Sequence, residues 1–97
     1  MLNQVNVAIQ VIPMGQNSDT YHIVDKAIEV IQQSNLKHIV TPFETVIEGP
    51  YDEIMAVAKK VQEVCYNSGA QQVMCYLKIQ SDATNNVTIE DKIEKYT

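Results

Sequence analysis

The sequence contains no arginine and no tryptophan, and its cationic side chains are seven lysines against twelve acidic residues. Arginine supplies the planar, bidentate fork with which proteins grip phosphate groups and guanine edges. With a net charge of −5 and no basic patch, the chain lacks the electrostatic features of a nucleic-acid-binding protein. We therefore expect no nucleic-acid partner.

Cysteine and histidine are also scarce. Cys65 and Cys75 belong to no CxxC pair, and His22 and His38 form no HxxxH pattern. A structural metal site needs such ligands at closer spacing. We therefore expect no metal site and interpret the two cysteines as reduced core thiols. Whether they have a role beyond structure stays open at this stage.

Long hydrophobic runs are absent as well. No stretch approaches eighteen consecutive apolar residues, so no membrane span is expected. The first residues, MLNQVNVAIQVIP, lack a basic leader and alternate apolar with polar residues, which is typical of a mature strand. We expect a cytoplasmic protein. Its 97 residues, 45% hydrophobic and 20% charged, predict a single globular domain over residues 1–97.

Hydrophobic periodicity predicts the order of the elements. Alternation over residues 3–12 predicts a strand, and apolar spacing of three and four residues predicts a helix over about 19–33. Ser18 is a candidate N-cap for this helix, which should stop at Ser34-Asn35. The remaining predicted elements are strands at about 36–41 and 43–49, a helix that opens with Pro50 at its first helical position and ends at 67–69, a strand over 71–80, and a tail helix over about 88–96.

This order, β-α-β-β-α-β with a tail helix, is that of ferredoxin-like domains. We predict an α+β sandwich, with a four-stranded antiparallel sheet and both helices on one face, and a core spanning about residues 3–81. The residues expected to face the helices are Val5, Val7, Ile9, Val11, Val73, Cys75, Leu77 and Ile79. The opposite, open face holds Asn6, Ala8, Gln10, Met74, Tyr76 and Lys78, a mixture that favours contacts in a homo-oligomer.

The stretch TPFETVIEG, residues 41–49, is unusually polar for a strand inside a sheet. Its alternation places Thr45 on the helix-covered side and Glu44 and Glu48 on the open side. The two glutamates would lie about 13 Å apart, too far for a glycosidase pair. They can be a solvated face or ion-paired with Lys37 or Lys78. Alternatively, Glu48 lies at a rim where a carboxylate suits an aminopyrimidine or a cationic ring.

Three stretches together resemble a known family: VIPMGQNSDTYHIVDKAIEVIQQSNLKHIVTPFETVIEG, YDEIMAVAKKVQEV and VMCYLKIQSD. The resemblance is to the small thiamine-binding protein family, whose pattern includes P-x-G, a helix ending in S-G-L, and T-P-x-x-T-x-I-E-G. The residues that match are Pro13, Gly15, Ser34, Leu36, Thr41, Pro42, Thr45, Glu48 and Gly49. Asn35 stands where the family usually has glycine, and KIQSDAT departs from a more charged ending.

The resemblance implies a non-catalytic, homo-oligomeric protein, commonly a tetramer, that binds thiamine (vitamin B1) or its hydroxymethylpyrimidine part. We predict Thr45 and Glu48 as polar ligand contacts, with Ser34, Pro13 and Gly15 nearby, and no catalytic residue, metal or cofactor other than thiamine as a ligand. One alternative is a structural or interaction module whose sheet face and edge mediate assembly. Another is an enzyme acting on a pyrimidine, with Glu48 as acid or base.

Overall fold

A computed structural model describes residues 3–15 and 19–96 of the chain. Within these residues the elements are β1 (Gln4–Met14), α1 (Thr20–Gln33), β2 (Lys37–Val40), β3 (Thr45–Pro50), α2 (Tyr51–Asn67), β4 (Gln72–Gln80) and α3 (Ile89–Ile93), followed by a 3-10 turn over Glu94–Tyr96. None of the described helices is both long and apolar enough to cross a membrane.

The four strands form one antiparallel sheet in the order β2-β3-β1-β4. The two central strands, β1 and β3, are therefore the first and third in the chain, as the βαββαβ order requires. In the register, Ile9 lies opposite Thr45 on one side and Leu77 on the other. The predicted ferredoxin-like fold is confirmed.

The core lies between the sheet and helices α1 and α2. Alternation on β1 works as predicted, with Val5, Val7 and Ile9 buried against helical residues such as Ile23 and Ile54. Burying a side chain of this size contributes about 1.5–3 kcal/mol. The amphipathic pattern of the two helices thus accounts for which sheet face is covered.

Val73, Cys75, Leu77 and Ile79 were predicted to face the core. The register places Leu77 opposite Ile9 and Ile79 opposite Val7, on the predicted side, but these two residues are not buried. Val73 and Cys75 pack against the core, whereas Leu77 is 37% and Ile79 44% exposed. α2 ends at Asn67, shortly before β4 begins, so its last turns cover only the start of this edge strand.

The ends of several elements also differ from the predictions. Ser18 lies outside the described residues, and Asp19 caps α1 by accepting the N–H of Tyr21 at 2.9 Å. Pro50 is the N-cap of α2 and not its first helical residue. The left-handed conformation predicted for Asn35 after α1 is confirmed, with φ at 62°.

Strand β3 begins at Thr45 and not at residue 43, because Thr41 closes a local loop. Its hydroxyl donates to the carbonyl of Glu44 at 2.6 Å and accepts the N–H of Glu44 at 3.1 Å. A threonine that bonds its neighbours' backbone in this way competes with strand pairing. Phe43 is consequently at the tip of a loop and 83% exposed.

Candidate ligand-binding site

A cleft of about 140 Å³ opens between α1 and the sheet, beside the loop of residues 41–44. We refer to it as the helix-side cleft. Its apolar walls come mainly from α1 and β1, and its polar groups come from the loop and from the first residue of β3. The lining residues that matter below are Val24, Ala27, Ile28, Phe43, Glu44 and Thr45.

Thr45 is the notable polar group of this cleft. It is only 6% exposed, and no hydrogen bond joins its hydroxyl to any residue in the described part of the chain. A buried hydroxyl without a partner costs about 1–3 kcal/mol. Such groups in a native structure are usually satisfied by water or a ligand. The predicted direction of Thr45, toward the helices, is confirmed.

The mouth of the helix-side cleft carries an aromatic ring and a carboxylate. Phe43 is exposed there, and Glu44 lines the same opening. The Glu44 carboxylate accepts from the Lys78 ammonium at 3.0 Å, the ion pair that the sequence offered as an alternative to ligand binding. The Lys78 side chain is 72% exposed, so this pair contributes little to stability and opens readily.

Glu48 lies elsewhere. It is on the open face, three residues along β3 from Thr45, and its carboxylate accepts the N–H of Ile89 at 2.7 Å. The N–H of Ile89 is the first of α3, and such an N–H has no acceptor within its own helix. The Glu48 carboxylate supplies the missing acceptor. Glu48 as a ligand contact stays a prediction, and the structure gives its carboxylate a different partner.

The segment that contains α3 docks on the open face through further bonds to β1. The N–H of Val87 donates to the carbonyl of Gln4 at 3.0 Å, and the Asn6 amide donates to the carbonyl of Val87 at 2.9 Å. The other end of the Asn6 amide accepts from the Lys92 ammonium at 2.9 Å. Asn6 is 3% exposed and fully bonded, so this contact is structural.

A second cavity, of about 430 Å³, lies between this docked segment and the open face. We refer to it as the open-face cavity. Its floor is the sheet and one wall is α3, and most of its lining is apolar. The lining residues used below are Asn6, Ala8, Ile39, Val46, Lys78, Ile89, Lys92 and Ile93.

The remaining predicted site residues do not gather around Thr45. Ser34 ends α1, where its hydroxyl donates to the carbonyl of Ile31 at 2.5 Å and accepts from Leu36 at 3.1 Å. Pro13 lies four residues beyond Ile9, the partner of Thr45, or about 13 Å along β1. Thr45, Glu48 and Ser34 therefore lie in different parts of the folded chain.

Gly15 and Gly49 match the family pattern, and at both positions the local structure leaves little room for a side chain. Gly15 has φ of 76°, and a Cβ there would lie 3.0 Å from Cβ of Gln71. At Gly49 a Cβ would come within 3.1 Å of Leu36. Both positions are therefore explained by local packing without a ligand.

Within the described residues, no group of three or more His, Cys, Asp and Glu side chains is arranged to hold a metal ion. Burial raises the pKa of the Cys65 thiol, and the neighbouring Cys75 adds to the rise. Burial also raises the pKa of Cys75. Neither thiol is activated as a nucleophile, because activation requires a lowered pKa.

The fold and the cleft define a class of protein: a ferredoxin-like domain with a small apolar cleft that presents one buried hydroxyl and an acidic mouth. A family model described as thiamine-binding protein matches residues 7–97. The chain therefore belongs to the thiamine-binding protein family.

Individual relatives agree with this assignment. The chain is 37% identical to a UPF0045 protein of Clostridium perfringens over 95 residues, which cover 98% of this chain and 99% of that one. It superposes on a DUF77 structure from Bacillus cereus with a TM-score of 0.95 at 39% identity, over 98% and 91% of the two chains. A candidate thiamine biosynthesis/salvage protein of Thermotoga maritima is similar at 32% identity and a TM-score of 0.87, over 97% and 99%.

Proposed function

We propose that this protein binds thiamine, or its hydroxymethylpyrimidine part, without catalysis, and that the pyrimidine ring enters the helix-side cleft. The observation that carries the proposal is the Thr45 hydroxyl, which is buried at this cleft and has no partner in the described part of the chain. A ring nitrogen or exocyclic amine would supply the missing hydrogen bond.

The size of the cleft supports a single ring. Its volume of about 140 Å³ is close to that of an engineered apolar cavity of about 150 Å³ that binds benzene. Val24, Ala27 and Ile28 of α1 offer apolar contacts to one side of a flat ring, and the sheet offers them to the other through Ile9, Val11 and Val40. A ligand larger than one ring must leave its second part at the mouth.

The mouth has the chemistry that suits the second part of thiamine, a cationic thiazolium ring. Glu44 provides a negative charge, and Phe43 provides an exposed aromatic face. A cation over an aromatic ring contributes about 0.5–1 kcal/mol at an exposed site. In this proposal Glu44 has the acidic role that the sequence suggested for Glu48.

The family and one relative point to the same ligand class. The family is described as thiamine-binding, and the Thermotoga maritima relative is described in terms of thiamine biosynthesis or salvage. A binding role without catalysis is consistent with the cleft, because a lone hydroxyl and a surface carboxylate do not form an acid–base pair.

Isothermal titration of the protein with thiamine and with hydroxymethylpyrimidine tests the proposal, together with Thr45→Val. We expect Thr45→Val to weaken binding of both ligands about tenfold while it raises the free energy of unfolding by about 1 kcal/mol, because the valine removes an unpaired buried hydroxyl. Weaker binding together with a higher free energy of unfolding would identify Thr45 as a ligand contact. Loss of a structural residue would instead lower the free energy of unfolding.

Thr84→Val, in an exposed loop, is the matched control and should leave binding unchanged. Glu44→Gln should weaken thiamine more than the uncharged pyrimidine. If titration gives no heat and millimolar ligand does not raise the melting temperature, the proposal is disproved, since a ligand that binds the native state must stabilise it. A Glu48→Gln variant that alone abolishes binding would move the site to the open face.

The second candidate function is assembly, and a specific observation favours it. Ile12, Met74 and Tyr76 lie on the open face, away from α3, and are 36%, 43% and 49% exposed. We propose that this patch and the free edge of β4 mediate homo-oligomerisation, with a tetramer as the expected state. Assembly and ligand binding use different surfaces and are compatible.

A further inference from the structure

The open-face cavity is lined by a lysine, Lys92, that forms no ion pair within the described residues. The ammonium of Lys92 donates to Asn6 at 2.9 Å, and this acceptor is a neutral amide. In the described part of the chain, Lys92 forms no ion pair with a carboxylate. An ammonium has three donors, so two remain available beyond the Asn6 bond.

Lys92 is held in a defined position. Its partner Asn6 is 3% exposed and is itself fixed by the bond from its amide to the carbonyl of Val87. The α3 segment is fixed in turn by Glu48, which accepts from the N–H of Ile89. Lys92 is an exposed residue, and these bonds orient its ammonium toward Asn6.

Most of the remaining surface of the cavity is apolar, and the cavity is large enough for a small molecule. Ala8, Val46 and Ile39 provide the floor, and Ile89 and Ile93 provide the wall next to Lys92. The volume of about 430 Å³ lies within the range of about 300–1,000 Å³ found for ligand pockets.

The charged side chains that line the cavity are both lysines. Lys78 also lines the cavity, and none of its lining residues within the described chain is acidic. Two glutamates lie close by: Glu44 forms an ion pair with Lys78, and Glu48, opposite Asn6 in the sheet, accepts from the N–H of Ile89 and keeps its charge. Of the two lysines that line the cavity, Lys92 is thus the one without an ion-pair partner among the described residues.

We propose that the open-face cavity is a second ligand site, which binds a small carboxylate with an apolar body. The carboxylate accepts from the Lys92 ammonium in a charge-assisted hydrogen bond, and the hydrocarbon part lies between the sheet floor and α3. The site is on the opposite face of the sheet from the helix-side cleft, so the proposal stands whether or not that cleft binds thiamine.

Octanoate is a suitable probe, and octanamide is its uncharged match. In thermal-shift and titration experiments, octanoate should raise the melting temperature and bind about tenfold more tightly than octanamide, because only the carboxylate gains the charge-assisted bond. Amide NMR signals of Ala8, Val46 and Ile89 should shift on addition of octanoate. Thiamine should not displace it.

Lys92→Met keeps the length and apolar stem of the side chain and removes its charge. We expect it to weaken octanoate about tenfold and to leave octanamide unchanged. Lys95→Met is the matched control, since Lys95 lies over the Tyr96 ring and does not line the cavity, and it should change neither affinity.

Equal affinity for octanoate and octanamide in the unsubstituted protein would overturn the proposal, and so would amide shifts confined to other surfaces. Because this comparison needs no variant, it holds even if Lys92→Met fails to fold. Absence of octanoate binding to the unsubstituted protein, in any state of association that sedimentation detects, would overturn the proposal as well.

Discussion

At the scale of single residues, the buried polar side chains of the described chain behave in opposite ways. Asn6 uses both ends of its amide, to Val87 and to Lys92, and so stabilises the fold. Thr45 is almost equally buried and has no partner in the described part of the chain. A buried polar group that is bonded specifies structure, whereas one left unbonded lowers stability, and for Thr45 we propose a ligand as the missing partner.

Asn35 is a residue at which backbone conformation alone decides the effect of a substitution. With φ at 62°, Asn35→Val should lower the free energy of unfolding by about 1–2 kcal/mol, because a β-branched residue is strained in the left-handed region. Asn35→Gly should be neutral or slightly stabilising. Chemical denaturation measures both changes.

Asn67→Val is the control for this pair, since Asn67 is the last residue of the right-handed helix α2. It should change stability by no more than about 0.5 kcal/mol. An equal loss at both positions would show that the cost arises from the valine side chain and not from the positive φ.

The cysteines should be slow to react in the native state. Burial raises the pKa of both thiols, so less thiolate is present at a given pH than in a free cysteine. Titration with a disulfide reagent at pH 8 should label them slowly, and more slowly at Cys65, which is fully buried. Reactivity should rise at a higher pH than for an exposed cysteine.

Denatured protein is the reference for this experiment, because unfolding restores the ordinary pKa. Labelling of native and denatured chains at the same rate would contradict the burial of the thiols. The raised pKa also makes the free energy of unfolding depend on pH. Because the native state holds the thiol protons more tightly, stability declines as the pH rises above the ordinary thiol pKa near 9.0.

At the scale of elements, α3 shows how tertiary contacts stabilise a helix that could not persist alone. It has five residues, and isolated helices shorter than about 12 residues are marginal in water. Thr88 caps its first turn through the N–H of Asp91 at 3.1 Å, and Glu48 accepts from Ile89. The sheet therefore provides one of the helix caps.

Glu48→Ala should loosen this segment without unfolding the domain. Loss of the acceptor exposes the Ile89 N–H, so we expect its amide to exchange with solvent at least about tenfold faster. Hydrogen exchange followed by NMR gives the rate, with β1 amides as the internal standard.

Glu44→Ala is the matched control, because the Glu44 carboxylate contacts an exposed lysine and not α3. It should leave exchange at Ile89 unchanged. Unchanged exchange in Glu48→Ala would mean that the hydrophobic contacts of Val87 and Ile89 are sufficient to hold the segment.

At the scale of the whole molecule, the two faces of the sheet are covered by different parts of the chain. The helices cover one face and create the helix-side cleft. The other face is covered by α3 at the end where β1 starts, and Ile12, Met74 and Tyr76 remain exposed beyond it. An exposed apolar patch beside a free strand edge is typical of an assembly surface.

Self-association should depend on this patch. We expect the double substitution Met74→Lys with Tyr76→Lys to lower the oligomeric mass measured by sedimentation, since burial of two ammonium groups in an interface is unfavourable. Tyr66→Lys, on α2 and 50% exposed, is the control and should leave the mass unchanged. An unsubstituted protein that sediments as a monomer would refute the assembly proposal.

Much of this architecture could be predicted because it depends on local patterns. Alternation identified the buried side of β1, and Asp52 and Glu53 lie in the first turn of α2, where the helix dipole favours acids. The predicted tail helix over about 88–96 starts at Thr88, which is the N-cap of α3. The direction of Thr45 also followed from alternation within its strand.

The tertiary structure alone decided which polar groups meet. Asn6 and Lys92 are separated by 86 positions, and Glu48 and Ile89 by 41, so no spacing rule relates them. The exposure of Leu77 and Ile79 likewise depends on how far α2 extends over an edge strand. Sequence by itself determined the fold and the side of the sheet on which each strand residue lies, because these follow from backbone periodicity. The two cavities, the partner of Glu48 and the isolation of Thr45 arise only when distant segments pack together.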